Sequence, residues 1–175
     1  MRLLGNALAL PLALLSAAAL SGCDDEAPTP AAVGRTAVDD VVAAADDARA
    51  GVLHELADAL VLTGAEGTRS FTTCGDDLAP GGVVLNDFVR FGSSGELTQE
   101  KATATAVGLL EADGWTVDDP DNQVALNATK GELVLHLRID PAQVQVDLGS
   151  ECVETSRKVA TEYDDRPKVG LAWSS

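Results

Sequence analysis

The sequence predicts an α+β fold in two layers, with two helices packed on one face of a largely antiparallel sheet. The expected element order is helix, two strands, helix, then a three- to four-strand meander. Three observations carry this. Apolar residues recur every third or fourth position across 36–62 and again across 99–112. From 115 to 148, short strand-like runs are separated by the turn-forming stretches DDPD, ATKG and DPAQ. In the last two runs the large side chains share one parity: Leu133, Leu135, Leu137 and Ile139, then Val144, Val146 and Leu148. One face is therefore apolar and the other wet, the pattern of an antiparallel sheet covered on one side.

The chain begins with Met1-Arg2, and Leu3 to Leu20 then carries no charged residue. A basic end followed by an apolar stretch is the layout of an export signal. As a membrane span it would be marginal, since about 20 continuous apolar residues are needed. Leu20-Ser21-Gly22-Cys23 comes next. These four residues resemble the lipobox of bacterial lipoproteins, in which a branched apolar residue and two small residues precede a cysteine. The resemblance implies cleavage after Gly22, a diacylglyceryl group on Cys23, and attachment to the extracytoplasmic face of the cell membrane by that lipid. Residues 1–22 are then the signal, and residues 23–35 the lipidated cysteine with a short acidic, Pro-containing tether. A single domain is expected over 36–153, with 154–175 a tail that is partly ordered at most.

Charge narrows the partners. Twelve Lys and Arg stand against 28 Asp and Glu, a net charge of −16. Such a chain repels phosphate backbones, so no nucleic-acid partner is expected. Anionic headgroups are disfavoured as well, which leaves membrane attachment to the acyl anchor.

Within the domain, Thr36 followed by Asp39 has the pattern of a capping box. Val38, Val41, Val42, Ala45, Ala48, Val52, Leu53, Leu56 and Leu60 form the apolar stripe of a first helix, bent at Gly51 and ended by Gly64 or Gly67. Strands are expected at 68–74 and 83–91, joined by GDDLAPGG. In the second, Asp87 shares parity with Leu85, Val89 and Phe91. A buried unpaired carboxylate would be costly, so a bulge is expected there. The second helix runs over 99–112 with Thr98 as N-cap, Leu97 stapling onto Ala102, and Gly114 as terminator. Ala102, Ala106, Leu109 and Leu110 make its inner stripe. Trp115–Val117, Gln123–Asn127, Glu132–Ile139 and Gln143–Leu148 complete the meander.

Apart from Cys23 there are two cysteines, Cys74 and Cys152, each at or just past the end of an expected strand. In an exported chain they should form a structural disulfide. A redox pair would sit closer in sequence, and a metal site would want nearby histidine.

Chemistry-bearing motifs are sparse. His54 and His136 are the two histidines, and no H-E-x-x-H occurs. Ser70, Ser93, Ser94 and Ser150 lack the G-x-S-x-G setting of a hydrolase elbow. Asp118-Asp119-Pro120-Asp121-Asn122 offers oxygen ligands but not EF-hand spacing, and reads as a solvated turn. Phe71, Phe88 and Phe91 are too few to predict a stacking platform. No catalytic residue, metal or cofactor is expected. The most regular polar array is the wet sheet face around His136, Arg138, Gln143 and Gln145.

The lipobox, acidic tether, long helix, strand ending Thr72-Thr73-Cys74-Gly75, turn Gly114-Trp115-Thr116-Val117, meander and final Ser150-Glu151-Cys152-Val153 together resemble one group. These are the small lipoproteins of high-GC Gram-positive (actinobacterial) bacteria, and the similarity spans residues 20–153. The resemblance implies cell-surface attachment and supplies no catalytic residues. The expected function is a non-enzymatic binding or structural module of the cell envelope, contacting an envelope protein or wall component. The alternative is a carrier holding a small apolar or amphipathic ligand between helices and sheet.

Overall fold

The computed structural model describes residues 29–76, 78–94, 97–122 and 124–173. The expected export signal (1–22), the residues that resemble a lipobox and Cys23 lie outside the described residues. Helix α1 (Pro30–Ala50) begins earlier than expected. Thr29 is its N-cap, accepting from the Ala32 N–H, and Pro30 supplies a preset φ at the first helical position. Thr36 lies inside the helix and donates to the Ala32 carbonyl. Residues 30–35 therefore belong to the folded domain and not to a tether. At Gly51 the expected bend is a full break, after which α2 (Val52–Ala59) continues.

Strands β1 (Thr63–Asp76) and β2 (Ala79–Gly92) form one long hairpin, each strand extending beyond its expected ends. Helix α3 (Gln99–Ala112) has the expected span, with Thr98 as N-cap and Ala102, Ala106 and Leu110 buried. Then follow β3 (Thr116–Val117), β4 (Ala125–Lys130), β5 (Leu133–Asp140), β6 (Gln143–Ser150) and β7 (Val153–Glu154). β4 sits later in the chain than expected, so the residues ATK are strand and the reversal falls at Gly131, whose φ is +59°. Helix α4 (Arg157–Asp164) and β8 (Val169–Gly170) follow. The eight-stranded sheet runs β3-β4-β5-β6-β2-β1-β8, with β7 beside β2 and every pairing antiparallel. The fold is α+β, as the sequence predicts.

The expected bulge at Asp87 is absent. β2 alternates regularly through that position, and Asp87 is 3% exposed on the core face. Its carboxylate is not unpaired. Arg69, directly opposite on β1, donates through Nε at 2.7 Å and Nη2 at 2.5 Å. The same Nη2 reaches Asp46 Oδ1 on α1 at 2.9 Å, and Arg49 donates to that oxygen at 3.0 Å. The hydrogen bond from Arg69 to Asp87 holds the guanidinium above its ordinary pKa. A two-pronged pair inside the apolar layer thus replaces the backbone irregularity that burial alone would demand.

Of the segment 154–175, expected to be at most a partly ordered tail, the described part, 154–173, completes the core. Val159, Ala160 and Tyr163 of α4 are buried. The Tyr163 ring meets Phe71 edge-on at 5.1 Å, and its hydroxyl donates to Asp39 Oδ1 at 2.8 Å. Arg166 lies 3.6 Å over the ring, and Arg35 pairs with Glu162. An eight-residue helix is marginal in water, so this packing holds α4 in place. On the other side, β8 pairs with Thr68 and Arg69 of β1.

Cys74 and Cys152 form the expected disulfide, with Cα atoms 5.9 Å apart. It joins β1 to the corner between β6 and β7 by passing over β2 at Gly82. A Cβ at Gly82 would lie 2.5 Å from one sulfur and 2.7 Å from the other, so glycine is required there. Two sequence segments are locked into one sheet at this point.

Removing one partner of the buried pair leaves the other charge stranded. Asp87→Ala should destabilise the fold by about 3–5 kcal/mol in urea unfolding, and replacing Arg69 and Asp87 together by Met and Leu should cost much less. A non-reducing peptide map should contain Cys74 linked to Cys152, and Cys74→Ala should cost about 2–5 kcal/mol. Tyr163 is the only tyrosine, so phenolate absorbance reports on it alone. Burial first, and the hydrogen bond to Asp39 second, push its pKa up. Native protein should titrate above the unfolded value of about 10. Because the unfolded chain releases this proton first, stability should be intact below about pH 10 and fall as pH rises through the native pKa.

Candidate functional site

Among the described residues, the four helices contribute to one layer and none covers the opposite sheet face. That open face is ordered in rows by the strand register. One row runs Glu66, Arg90, Gln145, Arg138 and Ala125 across β1, β2, β6, β5 and β4. The next is Thr68, Phe88, Asp147, His136 and Asn127. A third is Ser70, Asn86, Gly149, Val134 and Thr129. The four polar residues singled out in the sequence, His136, Arg138, Gln143 and Gln145, do share this face. Arg138 stands opposite Gln145, and Gln143 opposite Asp140.

His136 Nδ1 lies 2.6 Å from Asn127 Oδ1. With a carbonyl oxygen as partner, Nδ1 carries the proton and Nε2 is left for a ligand. Gln145 donates to Asp147 at 3.0 Å, which orients that carboxylate. Arg90 sits 5.5 Å over the Phe88 ring. Among the described residues, Arg90, Arg138 and Lys168 make no ion pair, whereas Arg35, Arg49, Arg69, Lys130 and Arg166 do. Lys101, Arg157 and Lys158 on the helical layer make no ion pair either, so three of the six unpaired cations among the described residues stand on or beside the open face.

Sequence reasoning missed the centre of this face. A hollow of about 470 Å³ lies over Gly149, with Ser70 and Asn86 on its floor and Phe88, His136 and Lys168 among its lining residues. A Cβ at Gly149 would lie 3.0 Å from the Leu85 carbonyl oxygen, a tight contact with backbone. The missing side chain opens the hollow. Beside it, Ser150 turns its hydroxyl inward to accept from the Leu85 N–H at 3.0 Å, a structural task.

His54 is elsewhere. It lies on α2 in the helical layer, stacks on Trp173 at 5.9 Å, and borders a separate hollow of about 390 Å³ that includes Phe91. The two histidines are on opposite layers and cannot act on one substrate atom. The run from Asp118 to Asn122 is a turn in which Asn122 Oδ1 accepts from the Val124 and Ala125 N–H groups. Among the described residues, no group of three His, Cys, Asp or Glu is placed to hold a metal ion. His136 is engaged with the Asn127 amide, and the open face carries exposed donors, acceptors and cations on the strands.

No protein-family profile matches this chain, and no curated protein or solved structure is significantly similar to it.

Proposed function

We propose that the chain is a lipid-anchored, non-enzymatic binding module on the extracytoplasmic face of the cell membrane, presenting its open sheet face to an envelope protein or wall component. The observation that carries this reading is the asymmetry of the domain: among the described residues every helix packs on one side of the sheet, and the other side is a regular polar array bearing Arg90 and Arg138. The residues Leu20 to Cys23 support the anchor. The disulfide supports an oxidising compartment. Among the described residues no helix is long and apolar enough to cross a membrane, and attachment is assigned to Cys23.

The carrier alternative needs space between helices and sheet. Ala45, Ala102 and Ala106 are fully buried at the contact, and such small side chains let α1 and α3 approach the strands closely. Surface binding is therefore preferred. The anchor has a direct test. The wild-type chain should partition into the detergent phase of a membrane extract and yield an acylated N-terminal peptide by mass spectrometry, and Cys23→Ala should move it to the aqueous phase. The same acylated peptide in that variant would end the assignment.

A further inference from the structure

We infer that the hollow over Gly149 is a binding site for a hydroxylated anion: a sugar or polyol unit carrying a carboxylate or a phosphate. This rests on the surface-binding reading above and specifies its ligand. The site lies beside the array legible in the sequence, and it is built from four strands and the segment between α4 and β8.

The first argument is charge. In a chain of net charge −16, Lys168 lines the hollow and makes no ion pair, and Arg90 and Arg138 flank it equally free. Lys168, with Arg90 and Arg138 beside the hollow, gives an anion points of attraction next to Asp147 and Glu66 on an otherwise acidic body. The second argument is the lining. Thr68 and Ser70 offer hydroxyls and His136 offers Nε2, short groups that exchange hydrogen bonds with a polyol at close range. Two carboxylates are among the lining residues: Asp87 is engaged by Arg69, and Asp147, oriented by Gln145, serves as an acceptor for ligand hydroxyls. The third argument is the wall. Phe88 lines the hollow with Arg90 over its ring, which gives the C–H face of a sugar one fixed apolar surface. The hollow opens broadly to solvent, suited to one unit of an exposed polymer and not to an enclosed apolar ligand.

The test uses the full-length protein in detergent, titrated calorimetrically with three probes: a hyaluronan tetrasaccharide, a glycerol phosphate tetramer and neutral chitotetraose. At least one anionic probe should bind, at least about tenfold more tightly than chitotetraose, and the tighter of the two identifies carboxylate or phosphate as the anion. Ser70→Leu fills the floor and Lys168→Glu reverses the charge; each should weaken binding by at least about tenfold. Lys101→Glu, on α3 in the opposite layer, makes the same charge change and should leave binding within about twofold. Circular dichroism melts establish that each variant is folded, and Lys168→Glu at an exposed loop decides the matter if Ser70→Leu does not fold. Three results would overturn the inference: no anionic probe binding, chitotetraose binding equally well, or Lys101→Glu weakening binding as much as Lys168→Glu. Detergent partitioning of the same preparations reads the anchor separately, so an empty hollow on an anchored protein is distinguishable from failure of the functional reading itself.

Discussion

The buried Arg69–Asp87 pair is the constraint around which the two layers are arranged. An aspartate on the core face of a central strand is tolerable only if a cation faces it, and a cation in that layer is tolerable only if its remaining hydrogen-bonding groups are engaged. Arg69 meets both needs from the adjacent strand and extends to Asp46 on α1. The register of the β1–β2 hairpin and the position of α1 over it are thereby coupled. A slip of one residue in either strand would turn the two charges to opposite faces. Apolar burial supplies most of the stabilisation; this pair selects which packing of the apolar layer is allowed.

The parts legible in the sequence are those whose signals are local. The β5–β6 hairpin and its two faces follow from strict alternation between Leu133 and Leu148. Helix α3 follows from Thr98, its spacing and Gly114. The disulfide follows from Cys74 and Cys152 being the two cysteines that remain once Cys23 is set aside, each near the end of a strand. Asp87 was visible as a conflict of parity, but its resolution lay in a neighbour eighteen residues earlier, reached only through strand pairing. Thr29-Pro30 is a sound helix start, a capping hydroxyl followed by proline. It was obscured by the Ala- and Pro-rich composition around it. In α4, Val159 and Tyr163 share a face one turn apart after the Ser156 cap, a stripe too short to stand out among polar residues.

The candidate site divides the same way. His136, Arg138, Gln143 and Gln145 were legible because alternate residues of a strand share a face. The hollow was not, because it depends on β6 lying beside β2, which places Gly149 between Asn86 and Val134. Its cation arrives from a segment that sequence periodicity leaves unstructured. A site formed by side chains is half visible in one dimension; a site formed by a missing side chain appears only when the neighbours are known.

Helix α4 also sets an order of events. Its contacts with α1 join residues that are 124 and 127 positions apart: Tyr163 with Asp39, and Arg35 with Glu162. A nascent chain elongating from its N-terminus makes α1 and the β1–β2 hairpin long before the residues that cover Phe71 exist. Loop closure over such a separation is slow relative to local helix and hairpin formation. The last turn of α4 therefore acts as a latch, and the domain reaches its native state only after residues through α4 have been synthesised. A chain truncated before Ser156 would hold a sheet with one uncovered apolar flank, a sticky intermediate and not a smaller version of the same protein.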